Sequence, residues 1–254
     1  MEGAWHLSGV GVWHLRRVQQ SKLGALIKLE LHTHTDEDPA DRITHSTRQL
    51  MDRAASLGYG ALAITLHDRY VDPAPHAAYA RDRGIVLLPG IERTIGRRHI
   101  LLINFPAACA DVRSFEDIAR LKQQCGGLVV APHPFYPIPS ALGAALDRHA
   151  ALFDAVEVNA MYTRFIDFNR RAVKWARAHD KALVGNTDLH LLDQMGTTYS
   201  LVDAEPNADA ICDAIRSRRV EVRTDPLSSL RAVQLFSGMC WGGIKGRLLY
   251  RSSL

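Results

Sequence analysis

The segment LELHTHTDED, residues 29–38, decides how the rest of the chain is interpreted. An apolar run that reads as an extended strand, residues 25–32, leads directly into His32 and His34. Side chains at positions i and i+2 of a strand point to the same face, so these two imidazoles can aim at one point. Acidic residues follow at 36, 37 and 38. The segment predicts a strand that ends in a cluster of ionisable groups.

Length and composition indicate one main domain. The chain has 254 residues, of which 47% are apolar, and this is enough to bury the core of a single α/β domain. We expect no transmembrane segment and no secretory signal, because neither pattern occurs in the sequence. The four cysteines are widely spaced, and we interpret them as reduced thiols of a cytoplasmic protein. No pattern indicates an oligomeric state.

Short apolar runs alternate with helical patterns along the chain, which is typical of strands and helices around a parallel sheet. The predicted helices are 44–58, 114–125, 141–151, 164–179 and 207–217. So many strand–helix repeats favour a closed α/β barrel over an open sheet, and barrels gather their chemistry at the C-terminal ends of the strands. The predicted strands are 25–32, 61–67, 85–92, 99–105, 127–133, 155–160, 182–188 and 197–203.

Ionisable residues lie at these predicted strand ends. His99 instead stands at the start of its predicted strand. The short link 93–98 must therefore return the chain to the end of the barrel at which the other candidate residues lie. Imidazole and carboxylate groups are preferred ligands of Zn, Mn and Fe. The candidate ligands at the strand ends are more numerous than one ion can coordinate. We therefore predict a centre with two or three divalent metal ions. Its candidate ligands are His32, His34, His67, Glu92, His99, His133, Asp188 and His190.

Any one of these histidines, taken alone, would more often be a structural or surface residue. Their joint occurrence at successive strand ends is much harder to explain without a metal centre. The remaining histidines, which lack this placement, are interpreted as structural or surface residues: His6, His14, His45, His76, His149 and His179.

The motifs resemble those of the PHP (polymerase and histidinol phosphatase) family of metal-dependent phosphoesterases. They occur in the family's order between residue 27 and about residue 203. The matching segments are ELHTHT (30–35), ALAITLHD (61–68), LLPGIE (87–92), HILL (99–102), APHP (131–134) and GNTDLH (185–190).

This resemblance implies an α/β fold, a distorted (β/α)7 TIM-like barrel with the metal cluster at the C-terminal ends of its strands. It implies that the eight candidate ligands hold two or three Zn, Mn or Fe ions, and that Glu92 bridges two of them. Asp36 or Asp38 could add a further acidic group. We expect the PHP-type domain to span residues 25–225, between a loose or disordered N-terminal extension (1–24) and a basic, apolar C-terminal tail (226–254).

Two positions depart from the family pattern. Leu66 stands where the second motif usually has an acid, and Glu30 stands where aspartate is usual. If the usual acid orients His67, its loss should weaken the site about 10 to 100-fold. Asp68 is the candidate to compensate for this loss.

The expected function is hydrolysis of a phosphate monoester or nucleotide-type substrate by a metal-activated hydroxide. We assign catalytic roles to Glu92, His133, Asp188 and Arg93. Arg93 is chosen for its guanidinium, which fits two phosphate oxygens, with Arg164 and Arg69 as alternatives. Residues 29–215 contain 19 basic and 24 acidic residues, so bound cations are needed to attract an anionic substrate. The partner is then a small phosphorylated molecule or nucleotide, and nothing specifically indicates nucleic acid.

Two alternatives stay open at this point. A metal-dependent amidohydrolase also places a His-x-His motif on its first strand, although the early Glu92 and the closing TDLH segment fit it less well. The second alternative is a metal-binding PHP module without turnover, which Leu66 supports.

Overall fold

The computed structural model describes residues 26–235 and 237, together with two short strands, His6–Ser8 (β1) and Val12–His14 (β2), which pair antiparallel. Most of the predicted extension 1–24 and much of the predicted tail 226–254 lie outside these residues. The proposed domain limits therefore stay predictions. No helix in the described part of the chain combines the length and the hydropathy needed to span a membrane.

The described strands beyond β2 form two five-stranded sheets. The first sheet has the order β12-β11-β3-β4-β5, and the second has the order β10-β9-β8-β7-β6. The strands are β3 (Ile27–Glu30), β4 (Ala61–Ala63), β5 (Val86–Leu88), β6 (Gly90–Ile95), β7 (Arg98–Ile103), β8 (Leu128–Ala131), β9 (Ala155–Asn159), β10 (Ala182–Asn186), β11 (Thr198–Val202) and β12 (Val220–Thr224).

Helices join most of these strands. All five predicted helices are present, but they are shorter than predicted, and the one expected at 141–151 is reduced to five residues. The sequence interpretation missed β1, β2, β12 and the short helix α2. The α-helices between β3 and β12 are α1 (Thr47–Ser56), α2 (Ala77–Arg81), α3 (Phe115–Gln124), α4 (Ala144–Arg148), α5 (Asn169–Ala178) and α6 (Ala208–Arg216).

The α/β class is confirmed, but the sheets are mixed rather than parallel. Strands β3, β4 and β5 run parallel, as do β8, β9 and β10. In contrast, β6 pairs antiparallel with β7, β7 with β8, and β11 with both β3 and β12. The expected closed seven-stranded barrel is not shown by these two sheets. The tight turn at Gly96 and Arg97, both with positive φ, explains one difference, because a hairpin cannot make a parallel crossover.

The strand predicted at 85–92 is divided between the two sheets. Its first half, β5, pairs with β4, and after Pro89 the chain continues as β6 in the second sheet. A Cβ atom on Gly90 would lie 2.9 Å from Thr65 Cγ2 and 3.0 Å from the Ile64 carbonyl oxygen. The close passage at this junction therefore requires glycine. It delivers β6, with Glu92, to the rim where β3 and β4 end.

The edge strand β10 of the second sheet also touches the first sheet. The backbone N–H of Gly185 on β10 donates to Ser200 Oγ on β11 at 2.9 Å. One buried apolar cluster draws residues from both sheets, among them Leu29, Leu101, Val130 and Val184. The sheets thus share a core, and the C-terminal ends of β3, β8, β9 and β10 approach one another above it.

Candidate metal centre

One oxygen of Glu92 faces three imidazoles. Glu92 lies on β6 and is only 1% exposed. Its Oε2 atom lies 3.3 Å from His32 Nε2, 3.4 Å from His34 Nε2 and 3.1 Å from His67 Nε2. His32 and His34 follow β3, and His67 forms an isolated parallel bridge with Glu92. Two separate segments therefore direct three imidazole nitrogens at one carboxylate oxygen.

The other oxygen of Glu92 faces two further histidines. Glu92 Oε1 lies 2.7 Å from His99 Nδ1 and 3.4 Å from His133 Nε2. In the β6–β7 hairpin His99 pairs with Thr94, two residues beyond Glu92 on the same face of the strand. The short hairpin thus returns His99 to the rim, although it stands near the start of its strand. Glu92 is the central residue of a five-histidine cluster.

Asp188 supplies a second carboxylate to this cluster. It follows β10 with a positive φ of 52°, and the next residue, Leu189, bridges to Thr33 between the two histidines of the first motif. Asp188 Oδ1 lies 3.3 Å from His32 Nε2 and 3.4 Å from His34 Nε2. His32 and His34 therefore lie between two carboxylates.

His190 lies at the edge of the cluster. Its ring centroid is 4.6 Å from that of His34, but its Nε2 atom is 3.1 Å from Asp41 Oδ2. Its Nδ1 atom is 2.9 Å from the Asp188 carbonyl oxygen. The same Nδ1 atom is 3.5 Å from Asp188 Oδ1, so His190 approaches the cluster at Asp188 while its Nε2 faces Asp41. It shares its pocket with Asp41, which the sequence interpretation did not select.

Behind the ring of His32 lies a buried carboxylate. Glu157, on β9, places Oε2 2.8 Å from His32 Nδ1, and its Oε1 accepts the His133 backbone N–H at 3.0 Å. The sequence interpretation did not select Glu157 as a site residue. Its signal in the sequence is a charge inside an otherwise apolar strand, AVEVN, which is buried throughout. A buried charge needs such partners.

Glu30, at the position where the family has aspartate, supports the backbone of the centre. Its carboxyl group accepts the His32 N–H at 3.1 Å, and it accepts both the N–H and the hydroxyl of Thr187. Burial raises the pKa of Glu30 to about 8, against the opposing effect of these hydrogen bonds. Glu30 therefore ties the end of β3 to the end of β10.

Several inward-facing atoms of the cluster have no hydrogen-bond partner within the described residues. They are His32 Nε2, His34 Nε2 and Glu92 Oε2, and all are buried. The Nδ1 atom of His133 is also buried and unpartnered, but the nitrogen of that ring that faces Glu92 is Nε2. Orphaned buried polar atoms are costly, and a divalent cation would satisfy lone pairs on these nitrogens and oxygens. The donor set therefore fits metal ions.

Four overlapping triads place their ligand atoms within 4.8 Å of one another. Glu92 belongs to two of them, which is the arrangement expected of a bridging carboxylate. The triads are His32–Glu92–His133, His32–His34–Asp188, His34–Asp38–His67 and His67–Glu92–His99.

The electrostatics of the cluster keep its carboxylates ionised. Burial raises the pKa of Glu92, but the charge of His32, the close approach of His133 and the hydrogen bond from His99 outweigh it and hold the pKa well below the usual value. The pKa of Asp188 is lowered in the same way, chiefly by His32 and His34 against the effect of burial. Both groups therefore have the charge state that binds cations.

The second motif holds its histidine differently from the family pattern. The Leu66 side chain is fully buried in an apolar cluster with Leu50, Ile64 and Leu189. Asp68 has a φ of 52°, and its Oδ1 contacts Arg93 Nη1 and accepts the Thr94 N–H. Asp68 therefore does not take over the orientation of His67.

The arginines proposed for phosphate binding differ in their surroundings. Arg93 is held between Asp68 and the Val112 carbonyl oxygen, which accepts from Nε at 2.9 Å. Arg69 pairs with Glu37 at the surface, and Arg164 lies exposed in the loop after β9.

The histidines interpreted as structural lie away from the inward-facing atoms. His45 is buried, and its Nε2 contacts the His34 carbonyl oxygen at 2.9 Å. His149 stacks on Phe115 and His179 on Trp175. His76 ends a short 3-10 helix, and the side chains of His6 and His14 lie outside the described part.

Comparisons with known proteins support the same family. A family described as PHP-associated matches residues 167–220, the stretch from the start of α5 to the start of β12. No curated protein matches the chain.

Several solved structures share the fold. PsfC from Pseudomonas syringae PB-5123 matches with a TM-score of 0.60 and 15% identity, covering 91% of this chain and 100% of its own. A protein assigned as a metal-dependent phosphoesterase from Bifidobacterium adolescentis ATCC 15703 matches with a TM-score of 0.54 and 17% identity, covering 76% and 96%. The lesion-specific endonuclease PfuEndoQ from Pyrococcus furiosus gives 0.55 and 16%, covering 78% of this chain but 57% of the endonuclease.

The fold and the site define a mixed α/β protein with a buried histidine–carboxylate cluster suited to divalent metals. The motif order, the PHP-associated match over residues 167–220 and the shared fold together support a PHP-family protein.

Proposed function

We propose that this protein is a metal-dependent phosphoesterase that hydrolyses a phosphate monoester or nucleotide-type substrate. The observation that carries the proposal is the position of Glu92 Oε2, a buried carboxylate oxygen without a hydrogen-bond partner in the described structure, among the Nε2 atoms of three histidines. This arrangement has the donor atoms and the charge to hold two or three Zn, Mn or Fe ions.

Divalent ions bound there would lower the pKa of a water molecule from about 15.7 toward 7 and offset the charge of a phosphoryl group. The side chains of the cluster would hold and orient these ions. Glu92, His133 and Asp188 would be among the residues that hold these ions. Glu157 fixes His32, because its Oε2 accepts a hydrogen bond from Nδ1 of that ring.

Arg93 is proposed as the phosphate-binding cation. Its guanidinium is paired with Asp68 in the structure, so a phosphate oxygen would have to share or replace that carboxylate. The Arg93 side chain is 17% exposed, and it extends from β6, which also carries Glu92. Neighbouring residues of a strand point to opposite faces, so Arg93 leaves β6 on the face opposite Glu92, and a phosphate-binding role would require its side chain to turn toward the metal ligands.

We also propose that the two sheets act as one distorted barrel around their common core. The continuous passage from β5 to β6 and the hydrogen bond between Gly185 and Ser200 support this arrangement. It explains why strand ends from both sheets meet at Glu92.

The names of two structural relatives are compatible with phosphoester chemistry. One is assigned as a metal-dependent phosphoesterase, and the other is a lesion-specific endonuclease of which the chain spans little more than half. A small phosphorylated substrate is our first choice, because the chain covers nearly all of the first of these relatives and only 57% of the second.

The test is metal analysis of the purified protein combined with a substrate panel. After chelation and addition of Mn²⁺, we expect bound metal and turnover of p-nitrophenyl phosphate, followed by a preference among phosphomonoesters and nucleotides. Metal binding without turnover of any phosphoester would favour the inert module. Turnover confined to an amide or a cyclic imide would favour the amidohydrolase.

A further inference from the structure

Five N–H groups lie at hydrogen-bond distance from the Asp38 carboxylate. Its Oδ2 atom lies 2.9 Å from His34 Nδ1, 3.0 Å from His67 Nδ1 and 3.0 Å from the His67 backbone nitrogen. Its Oδ1 atom accepts the backbone N–H groups of Ala40 at 2.8 Å and Asp41 at 3.0 Å. The Asp38 side chain is completely buried.

We infer that Asp38 is the positioning residue for both His34 and His67, and that it replaces the acid missing at position 66. The inference rests on the proposed metal centre but not on the reaction. A histidine that donates from Nδ1 keeps its lone pair on Nε2, and a carboxylate behind Nδ1 fixes both this tautomer and the ring orientation. In His34 and His67 the Nε2 atoms then point at Glu92 Oε2, at 3.4 and 3.1 Å.

The number of donors argues against Asp38 as a metal ligand, although ligand atoms of Asp38, His34 and His67 lie close enough together to hold an ion. An ionised carboxylate has about four lone-pair sites on its two oxygens. Five N–H groups at hydrogen-bond distance already use this capacity. A cation bound to Asp38 would have to displace one or more of these N–H groups, among them the Nδ1 groups by which Asp38 holds the two rings.

The neighbouring acids do not provide the same contact. Asp68 turns to Arg93 and Thr94, and Leu66 is enclosed by apolar side chains. Asp41 approaches His67 Nδ1 only to 3.7 Å and instead contacts His190 at 3.1 Å. Among the described residues, Asp38 is thus the acid whose carboxylate is at hydrogen-bond distance from His67 Nδ1.

The test is Asp38→Asn, with the affinity for Mn²⁺ as the measured quantity. An amide offers one acceptor oxygen and one donor nitrogen, so in either orientation two or more of the five N–H groups would face another donor. We expect the weakest-bound Mn²⁺ to lose about 10 to 100-fold in affinity, the range found for such supporting groups. Metal content after dialysis should fall by one ion per chain while the remaining ions stay bound.

Glu37→Gln is the matched control, because Glu37 is the adjacent acid of the same loop and its exposed side chain pairs with Arg69 at the surface. It should keep the wild-type affinity and metal content. Equal Mn²⁺ affinity in Asp38→Asn and Glu37→Gln would overturn the inference.

A second measurement needs no variant and so does not depend on whether Asp38→Asn folds. In the Zn²⁺-loaded wild-type chain, nitrogen chemical shifts should identify protonated Nδ1 and metal-bound Nε2 in both His34 and His67. Metal on Nδ1 of either ring would contradict the assigned role. If the wild-type chain binds Zn²⁺ in this manner but hydrolyses no phosphoester, the proposed function fails and the role of Asp38 stands.

Discussion

The Nδ1 atom of His32 lies 2.8 Å from Glu157 Oε2, on the side of the ring opposite the Nε2 atom that faces Glu92 and Asp188. The same carboxylate accepts the His133 backbone N–H and the side-chain amides of Asn159 and Asn186. One buried acid therefore fixes the ring of His32 and the backbone of His133, which are both candidate ligands.

Glu157→Gln should weaken metal binding without removing a ligand. Each Glu157 oxygen accepts two donors, so an amide nitrogen would face donors in either orientation. We expect about a 10 to 100-fold loss of Mn²⁺ affinity, measured by competition with a chelating dye. Glu116→Gln, at an exposed position in the first turn of α3, is the control and should bind as the wild type does. An unchanged affinity in Glu157→Gln would show that His32 does not depend on this partner.

His133→Ala should abolish phosphoesterase activity while the protein stays folded. The His133 ring lies beside Glu92 and carries a buried, unpartnered Nδ1 atom in the described structure, so its removal deletes a proposed ligand from a rigid rim. Activity should fall to that of the chelated wild-type protein, with circular dichroism unchanged. His149→Ala, where the ring only stacks on Phe115, should keep its activity. Full activity in His133→Ala would contradict the assigned ligand set.

Leu66 should contribute to stability and not to metal binding. Its side chain is fully buried among apolar residues, so Leu66→Ala should lower the free energy of unfolding by about 2–5 kcal/mol in urea titrations. Leu66→Met should cost less than about 1.5 kcal/mol and leave Mn²⁺ affinity unchanged. Leu66→Asp should destabilise further, because it buries a carboxylate without a partner. Tighter metal binding by a folded Leu66→Asp variant would show that the family position still faces the site.

Metal binding should release protons, and its affinity should rise with pH. Burial lowers the pKa of His67, but the hydrogen bond to Asp38 and the charges of Glu92, Asp38 and Asp41 outweigh it and raise the pKa to about 9. His67 must lose this proton to bind a cation. Calorimetry at pH 7 in buffers of different ionisation enthalpy should therefore report proton release. Affinity that stays constant between pH 7 and about 9 would contradict this expectation.

The same shift fixes the sign of the pH effect on the metal-free protein. The folded-state pKa of His67 lies above its ordinary value of 6.5, so its favourable contribution is complete below pH 6.5 and is lost as the pH rises through about 9. The melting temperature of the chelated protein should fall over this interval, while that of the Mn²⁺-loaded protein should be less affected. A chelated protein that becomes more stable from pH 7 to 9 would contradict the assignment.

The sequence alone determined which residues could form a metal centre and which order of strands would carry them. The chemical identity and the spacing of the histidines and acids at the ends of apolar runs can be read directly from the sequence. His32 and His34 share a face because the period of a strand is two. The α/β class and the PHP resemblance were predicted from such local patterns, and both are confirmed.

Only the tertiary structure decided how the strands pair and which acids support the ligands. Strand direction depends on long-range pairing, so the sequence did not reveal the antiparallel β6–β7–β8 segment or the change of sheet at Gly90. Asp38 reaches His67 across 29 positions and Glu157 reaches His32 across 125, and no spacing rule links residues that far apart. Local patterns fix what each segment can form, whereas packing around the shared core fixes which segments meet.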